Sequence, residues 1–194
     1  MRRRAVRSLI LVKHSLPDVV PDLPAAQWRL GDEGRRRCGV LANRLAAYDP
    51  VVVATRIEPK ATETAAIVAA RLGRQVVAVE GLHEHDRSNV AFLGDAEFRA
   101  AVARCLTRPD DLVFGRETAT EARRRFERAV DRVVCAYPHG NVAIVAHGTV
   151  IALLVAACVG TDAVHLWRRL GLPSFVVLSL PERRLLGVVE AVTR

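Results

Sequence analysis

Two short apolar runs, far apart in the chain, each end on a histidine. The first is Leu9-Ile10-Leu11-Val12-Lys13-His14 and the second is Val142-Ala143-Ile144-Val145-Ala146-His147. Four or five consecutive aliphatic residues are too few for a buried helix, and they lack the polar alternation of a half-exposed strand. They suit strands covered on both faces, as in a parallel sheet flanked by helices. The intervening segments carry the complementary pattern: stretches with apolar residues three and four apart alternate with further short apolar runs. This alternation predicts an α/β fold, three-layer α/β/α with a largely parallel central sheet. In such sheets ligands bind beyond the carboxyl ends of the strands. Both histidines then arrive at one edge of the sheet, and a single pocket built from the two ends of the chain is expected.

Strands are predicted over 7–13, 51–54, 75–79 and 142–146. A final pair, 174–180 and 184–192, meets at Pro181-Glu182-Arg183-Arg184 and reads as a hairpin. Helices are predicted over about 33–47, from Pro59 to Gly73, over 96–106, from Thr118 to about Tyr137, from Gly148 to Val159, and over 162–169. Pro59 suits a first helical position, where its missing N–H would be unpaired anyway. Thr118-x-x-Glu121 is a capping box. Pro17, Pro21 and Pro24 keep residues 14–31 irregular, and residues 80–95 read as a loop. With no internal repeat or low-complexity linker, residues 1–194 are expected to form one domain.

Composition narrows the function classes. Half of the residues are hydrophobic (51%) and 26% are charged, which fits a globular chain and not a disordered one. No apolar run reaches the ~18–20 residues of a membrane span. Met1-Arg2-Arg3-Arg4 is basic, but the apolar run after it stops at Lys13, too soon for a signal-peptide core, so a cytoplasmic location is expected. Cys38, Cys105, Cys135 and Cys158 have neither metal nor redox spacing and read as reduced core thiols. The formal net charge of +8 suits anionic partners. Only 5% of residues are aromatic and no nucleic-acid module is present, so nucleic acid is not the expected partner. The runs Arg35-Arg36-Arg37 and Arg123-Arg124-Arg125 read as solvated helix faces.

Four places carry residue types that do chemistry. His14 stands at a strand end beside Lys13, a cation that disfavours imidazole protonation and leaves a nucleophilic ring. Lys60 lies in the first turn of a helix, where a cation is locally unfavourable unless an anion sits between it and the helix end. His147-Gly148-Thr149 opens another helix, whose N–H groups can face an anion, and Gly148 permits close backbone approach. Glu84, in Leu82-His83-Glu84-His85-Asp86-Arg87, is a candidate proton donor to a leaving group. Taken singly each has a plainer reading: a strand-end or exposed lysine, an N-cap threonine, a solvated glutamate. His83, His85 and Asp86 have no established metal spacing, and no metal is expected.

In order along the chain, these segments resemble the histidine phosphatase superfamily, with its phosphoglycerate mutase-like fold. Leu11-Val12-Lys13-His14-Ser15 resembles the family's Leu-Val-Arg-His-Gly. Thr55 to Ala65 resembles its Ser-Ser-Pro-Leu-x-Arg-Ala-x-Gln-Thr-Ala. Leu82-His83-Glu84 resembles its Leu-x-Glu, Gly115-Arg116-Glu117-Thr118 its Gly-x-Glu-Ser, and Val145 to Val150 its second histidine segment. The resemblance implies that His14 carries the phosphoryl group through a phosphohistidine. It implies that Lys13, Lys60 and His147 hold the phosphate oxygens, and Gly148, at a helix start whose N–H groups can face an anion, is expected to bind phosphate beside them. Glu84 would protonate the leaving oxygen and then activate water. Arg87 and Arg116 are expected at the substrate rim, and Trp28 as an anchor of the 14–31 loop.

No cofactor is implied; the expected partner is a small phosphorylated substrate. The activity implied is metal-independent hydrolysis of small phosphomonoesters. Two departures stand out. Lysine occupies both positions where the pattern has arginine, which keeps the charge and loses the planar fork. Ser15 replaces glycine and is expected to crowd the nucleophile. These departures leave room for a non-catalytic phosphate binder or a mutase-type phosphotransferase on the same fold.

Overall fold

The structure is a computed structural model in which residues 6–193 are described; the basic start Met1–Arg4 lies outside them. In chain order the elements are β1 (Ser8–Lys13), α1 (Asp32–Ala46), β2 (Pro50–Thr55), α2 (Pro59–Leu72), β3 (Val76–Ala78), α3 (Asp95–Thr107) and α4 (Ala119–Ala136). There follow β4 (Asn141–Ala146), α5 (Gly148–Val159), α6 (Ala163–Arg169), β5 (Ser174–Ser179) and β6 (Leu185–Val189). A single 3-10 turn, Ala25–Gln27, interrupts the irregular segment after β1.

The two histidine-bearing runs are neighbours at the centre of a six-stranded sheet of order β3-β2-β4-β1-β5-β6. β1 and β4 pair in parallel with Lys13 opposite Ala146, and the His14 N–H extends the ladder to the Ala146 carbonyl at 3.0 Å. Alternation along these strands divides the core. Leu9, Leu11, Val142 and Ile144 pack towards α4 and α5, while Ile10, Val12, Ala143 and Val145 pack towards α1 and α2. Both faces are therefore covered, which is why the runs are apolar throughout.

The sheet is mixed, which corrects the expectation of a largely parallel one. β1, β2, β3 and β4 are mutually parallel, but β5 runs antiparallel to β1, and β6 antiparallel to β5. After β4, two helices intervene instead of one, and the chain re-enters the sheet at the carboxyl end of β1, with Ser174 opposite Lys13. The hairpin was readable from its turn; its direction against the rest of the sheet depends on where α6 leaves the chain. The thiols also divide: Cys38 and Cys105 are buried, whereas Cys135 is exposed. Among the described residues no helix is long and apolar enough to cross a membrane.

Candidate active site

Because β1, β2 and β4 are parallel, their carboxyl ends share one edge, and the N-termini of α2 and α5 open there. His14 is buried, and its Nδ1–H donates to its neighbour's carbonyl, Ser15 O, at 2.7 Å. A carbonyl can only accept, so the proton sits on Nδ1 and Nε2 keeps its lone pair. Burial, and then the positive surroundings of His147, Lys60 and Lys13, push the His14 imidazole well below its ordinary pKa, against the Ser15 hydrogen bond. Ser15, the residue in place of glycine, is buried and hydrogen-bonded. Its Oγ donates to Gly34 O at 2.7 Å, and its N–H donates to Thr64 Oγ1 at 3.0 Å.

His147, 1% exposed, is the N-cap of α5. Its ring meets that of His14 edge-on, centroids 5.1 Å apart at 64°. Nε2 lies within ion-pair distance of Glu58 Oε2, and both ring nitrogens are buried without a hydrogen bond to the protein. Lys13 crosses the first residue of α5: a Cβ on Gly148 would lie 3.1 Å from Lys13 Cε, so glycine there makes room for the lysine. The Lys13 ammonium donates to Leu170 O, at the end of α6, at 2.6 Å. Burial brings the pKa of Lys13 down to about 8, with Glu84 opposing and Arg99 adding to the fall. Lys60, 7% exposed, donates to Ala25 O and lies 6.0 Å from the Trp28 ring. Burial and then Arg87 lower its pKa, against Glu58 and Glu84. Trp28 itself ties down the loop as expected, with its indole N–H shared between Val20 O and Leu23 O.

Glu84 closes the site from the loop after β3. Its Oε1 accepts from the N–H of His85 (2.9 Å) and of Val150 (3.3 Å); its Oε2 accepts from Thr149 N–H (3.2 Å) and pairs with Arg87 at 3.1 Å. Burial would raise its pKa, but Arg87, His147 and the backbone donors outweigh burial and hold the carboxyl well below the usual carboxylate range. Its two contacts to α5 also satisfy N–H groups that no residue inside the helix can reach.

The structure thus brings Lys13, His14, Lys60, Glu84, His147 and Gly148 to one place. Arg87 departs from the rim position expected for it. Its side chain is 17% exposed, and its guanidinium lies against Phe98 (4.9 Å) and Phe114 (5.6 Å) while gripping Glu84. Arg116 is exposed, with its backbone N–H on Asp86 O. Two residues escaped the sequence reading. Glu58 was seen only as a helix opener. Arg125, placed on a solvated face, reaches Gly81 O, His83 O, Glu84 O and the Glu117 carboxylate, and so props the Glu84 loop. A signal for Arg125 existed: it is three and four positions from Ala122 and Ala129, on the margin of the buried stripe of α4. Among the described residues, no cluster of His, Cys, Asp or Glu is arranged to hold a metal ion.

The family profile "Histidine phosphatase superfamily (branch 1)" matches residues 24–187. The chain belongs to the histidine phosphatase superfamily. No curated protein matches its sequence. Its fold is similar to solved structures at low identity. The mycobacterial glucosyl-3-phosphoglycerate phosphatase complexed with VO3 superposes with a TM-score of 0.73 at 22% identity, covering 93% of this chain and 98% of that one. Bacillus stearothermophilus YhfR gives 0.75 at 23%, covering 95% and 96%. A phosphoserine phosphatase mutant from Entamoeba histolytica, in complex with phosphoserine, gives 0.77 at 12%, covering 95% and 97%. At such identities the likeness concerns the fold, and the chemistry of this superfamily member has to come from its own residues.

Proposed function

We propose that this histidine phosphatase superfamily member is a metal-independent phosphatase of small phosphomonoesters, working through a phosphohistidine on His14. One observation carries the reading: the His14 proton is tied to Ser15 O through Nδ1, which leaves Nε2 as a buried lone pair. Nε2 attacks phosphorus, and the P–O bond to the leaving group breaks as that oxygen takes a proton from Glu84. Water then attacks the phosphohistidine, Glu84 takes a proton from it, and the N–P bond breaks, returning His14 and inorganic phosphate. Lys13, Lys60, His147 and the α5 N-terminus at Gly148 stabilise the charge on the transferring group, the main demand of phosphoryl transfer.

The ionised resting state of Glu84 suits the second half of this cycle. For the first half, Glu84 takes the proton it later donates from the arriving phosphomonoester monoanion, whose negative charge raises the proton affinity of the carboxylate beside it. Relatives of the same fold named as phosphatases support the reaction class. The test is rapid-quench labelling with a phosphomonoester panel in the presence of chelator. Wild type is expected to accumulate acid-labile phosphate, and His14→Ala to lose both label and turnover. Turnover retained by His14→Ala, or abolished by chelator, would overturn the reading.

A further inference from the structure

Glu58 makes contacts that a helix N-cap residue ordinarily does not. It caps α2 by position, yet its side chain forms no bond to the helix it begins. Its carboxylate turns instead to two other segments, and both contacts use one atom. Oε2 is paired with Nε2 of His147 at the start of α5, and it accepts the backbone N–H of Glu84 at 3.3 Å. Two positions further along α2 stands Lys60, whose charge Glu58 also feels. One side chain therefore touches or flanks three of the groups assembled around His14.

We propose that Glu58 is the positioning residue of the site: its Oε2 holds the proton of His147 on Nε2, fixes the plane of that ring, and seats the backbone of Glu84 beside it. A carboxylate facing Nε2 requires a donor there. Nδ1, buried with neither a hydrogen bond nor a carboxylate beside it, is then the ring nitrogen left for a ligand oxygen, to which it donates once it too carries a proton. The added negative charge does not stand alone. Arg87, half-buried against two phenyl rings beside Glu84, supplies a matching cation, so Lys13, Lys60 and Arg87 face Glu58 and Glu84. The family pattern quoted above has leucine at this position, which offers no acceptor.

The kinetic part of this inference rests on the phosphatase reading; its spectroscopic part does not. The experiment compares the full chain with Glu58→Leu, which keeps volume and removes the acceptor, and Glu58→Gln, which keeps an acceptor oxygen. Two-bond proton–nitrogen spectra of histidine-labelled protein report which ring nitrogen is protonated, with the His147 signal assigned by its loss in His147→Asn. Wild type and Glu58→Gln are expected to hold the His147 proton on Nε2, and Glu58→Leu to lose that preference. With p-nitrophenyl phosphate, Glu58→Leu is expected to lower kcat by about 10- to 100-fold, the scale of a misplaced reacting group, with Glu58→Gln recovering most of it.

A residue needed only for folding would lower the melting temperature and leave the ring pattern alone. If Glu58→Leu does not fold, Glu58→Ala makes the same comparison. An unchanged His147 pattern in the folded acceptor-free variant, or its turnover at the wild-type rate, overturns the proposal. A silent wild type overturns the phosphatase reading instead, and the spectra still decide on Glu58.

Discussion

The two histidines look alike in sequence and are built differently in space. His14 is oriented by main chain: its Nδ1–H bonds to the carbonyl of the residue that follows it. His147 is met by a side chain, Glu58, from a helix elsewhere in the fold. The first arrangement leaves Nε2 free and the second turns Nε2 to a carboxylate, so in the proposed mechanism one imidazole attacks and the other, protonated on Nδ1 as well, holds a phosphate oxygen. The lesson concerns robustness. A carbonyl cannot be substituted away, so the nucleophile keeps its tautomer whatever replaces its neighbour. In the proposed site, the tautomer of His147 depends on one replaceable carboxylate.

The largest expected effect breaks the pair apart. His14→Asn should abolish acid-labile phosphate uptake and lower turnover by on the order of 10⁴-fold. His147→Asn should still label, with turnover lower by about 10²-fold, the usual loss on removing one charge-stabilising donor. Equal behaviour of the two variants in the quench assay would erase the distinction drawn here.

A smaller effect comes from the residues just before each histidine, Lys13 and Ala146. The pKa of Lys13 is lowered to about 8. Below that pH its ammonium attracts phosphate; above it the neutral amine does not. KM should therefore rise with pH above about 8, by up to about tenfold per unit where a single proton governs binding. Lys13→Arg should remove that alkaline limb, because a guanidinium stays charged there. A KM that is flat from pH 7 to 9.5 in wild type would place Lys13 outside the clamp.

The smallest effect tests the main-chain anchor. Ser15→Ala removes the hydrogen bond to Gly34 O and should cost about 1 kcal/mol in chemical denaturation. Because the Ser15 carbonyl survives, kcat should stay within about twofold. A large loss of kcat at undiminished stability would mean that the hydroxyl, and not the backbone, orients His14.

Much of the fold was legible because its signals are local. The apolar runs of β1 and β4, Pro59 at the head of α2 and the capping box of α4 each act within a few residues, and each is where it was expected. The direction of β5 was not legible, since it depends on how far α5 and α6 carry the chain before it returns. The substrate rim expected for Arg87 and the solvated face expected for Arg125 both gave way to partners remote in sequence, Phe98, Phe114 and the carbonyls of the Glu84 loop.

What the sequence by itself determined is an alternation of strands and helices that places two histidines, two lysines and a glutamate at ends of elements, because periodicity and capping are properties of short windows. What only the tertiary structure decided is the chemical state of each group. Which nitrogen of His14 holds the proton, which carboxylate faces His147, why Lys13 titrates low and why Glu84 stays ionised all follow from partners brought close by packing. Electrostatic and hydrogen-bond energies act over a few ångströms of space, and those distances exist only once the sheet has set its strands side by side.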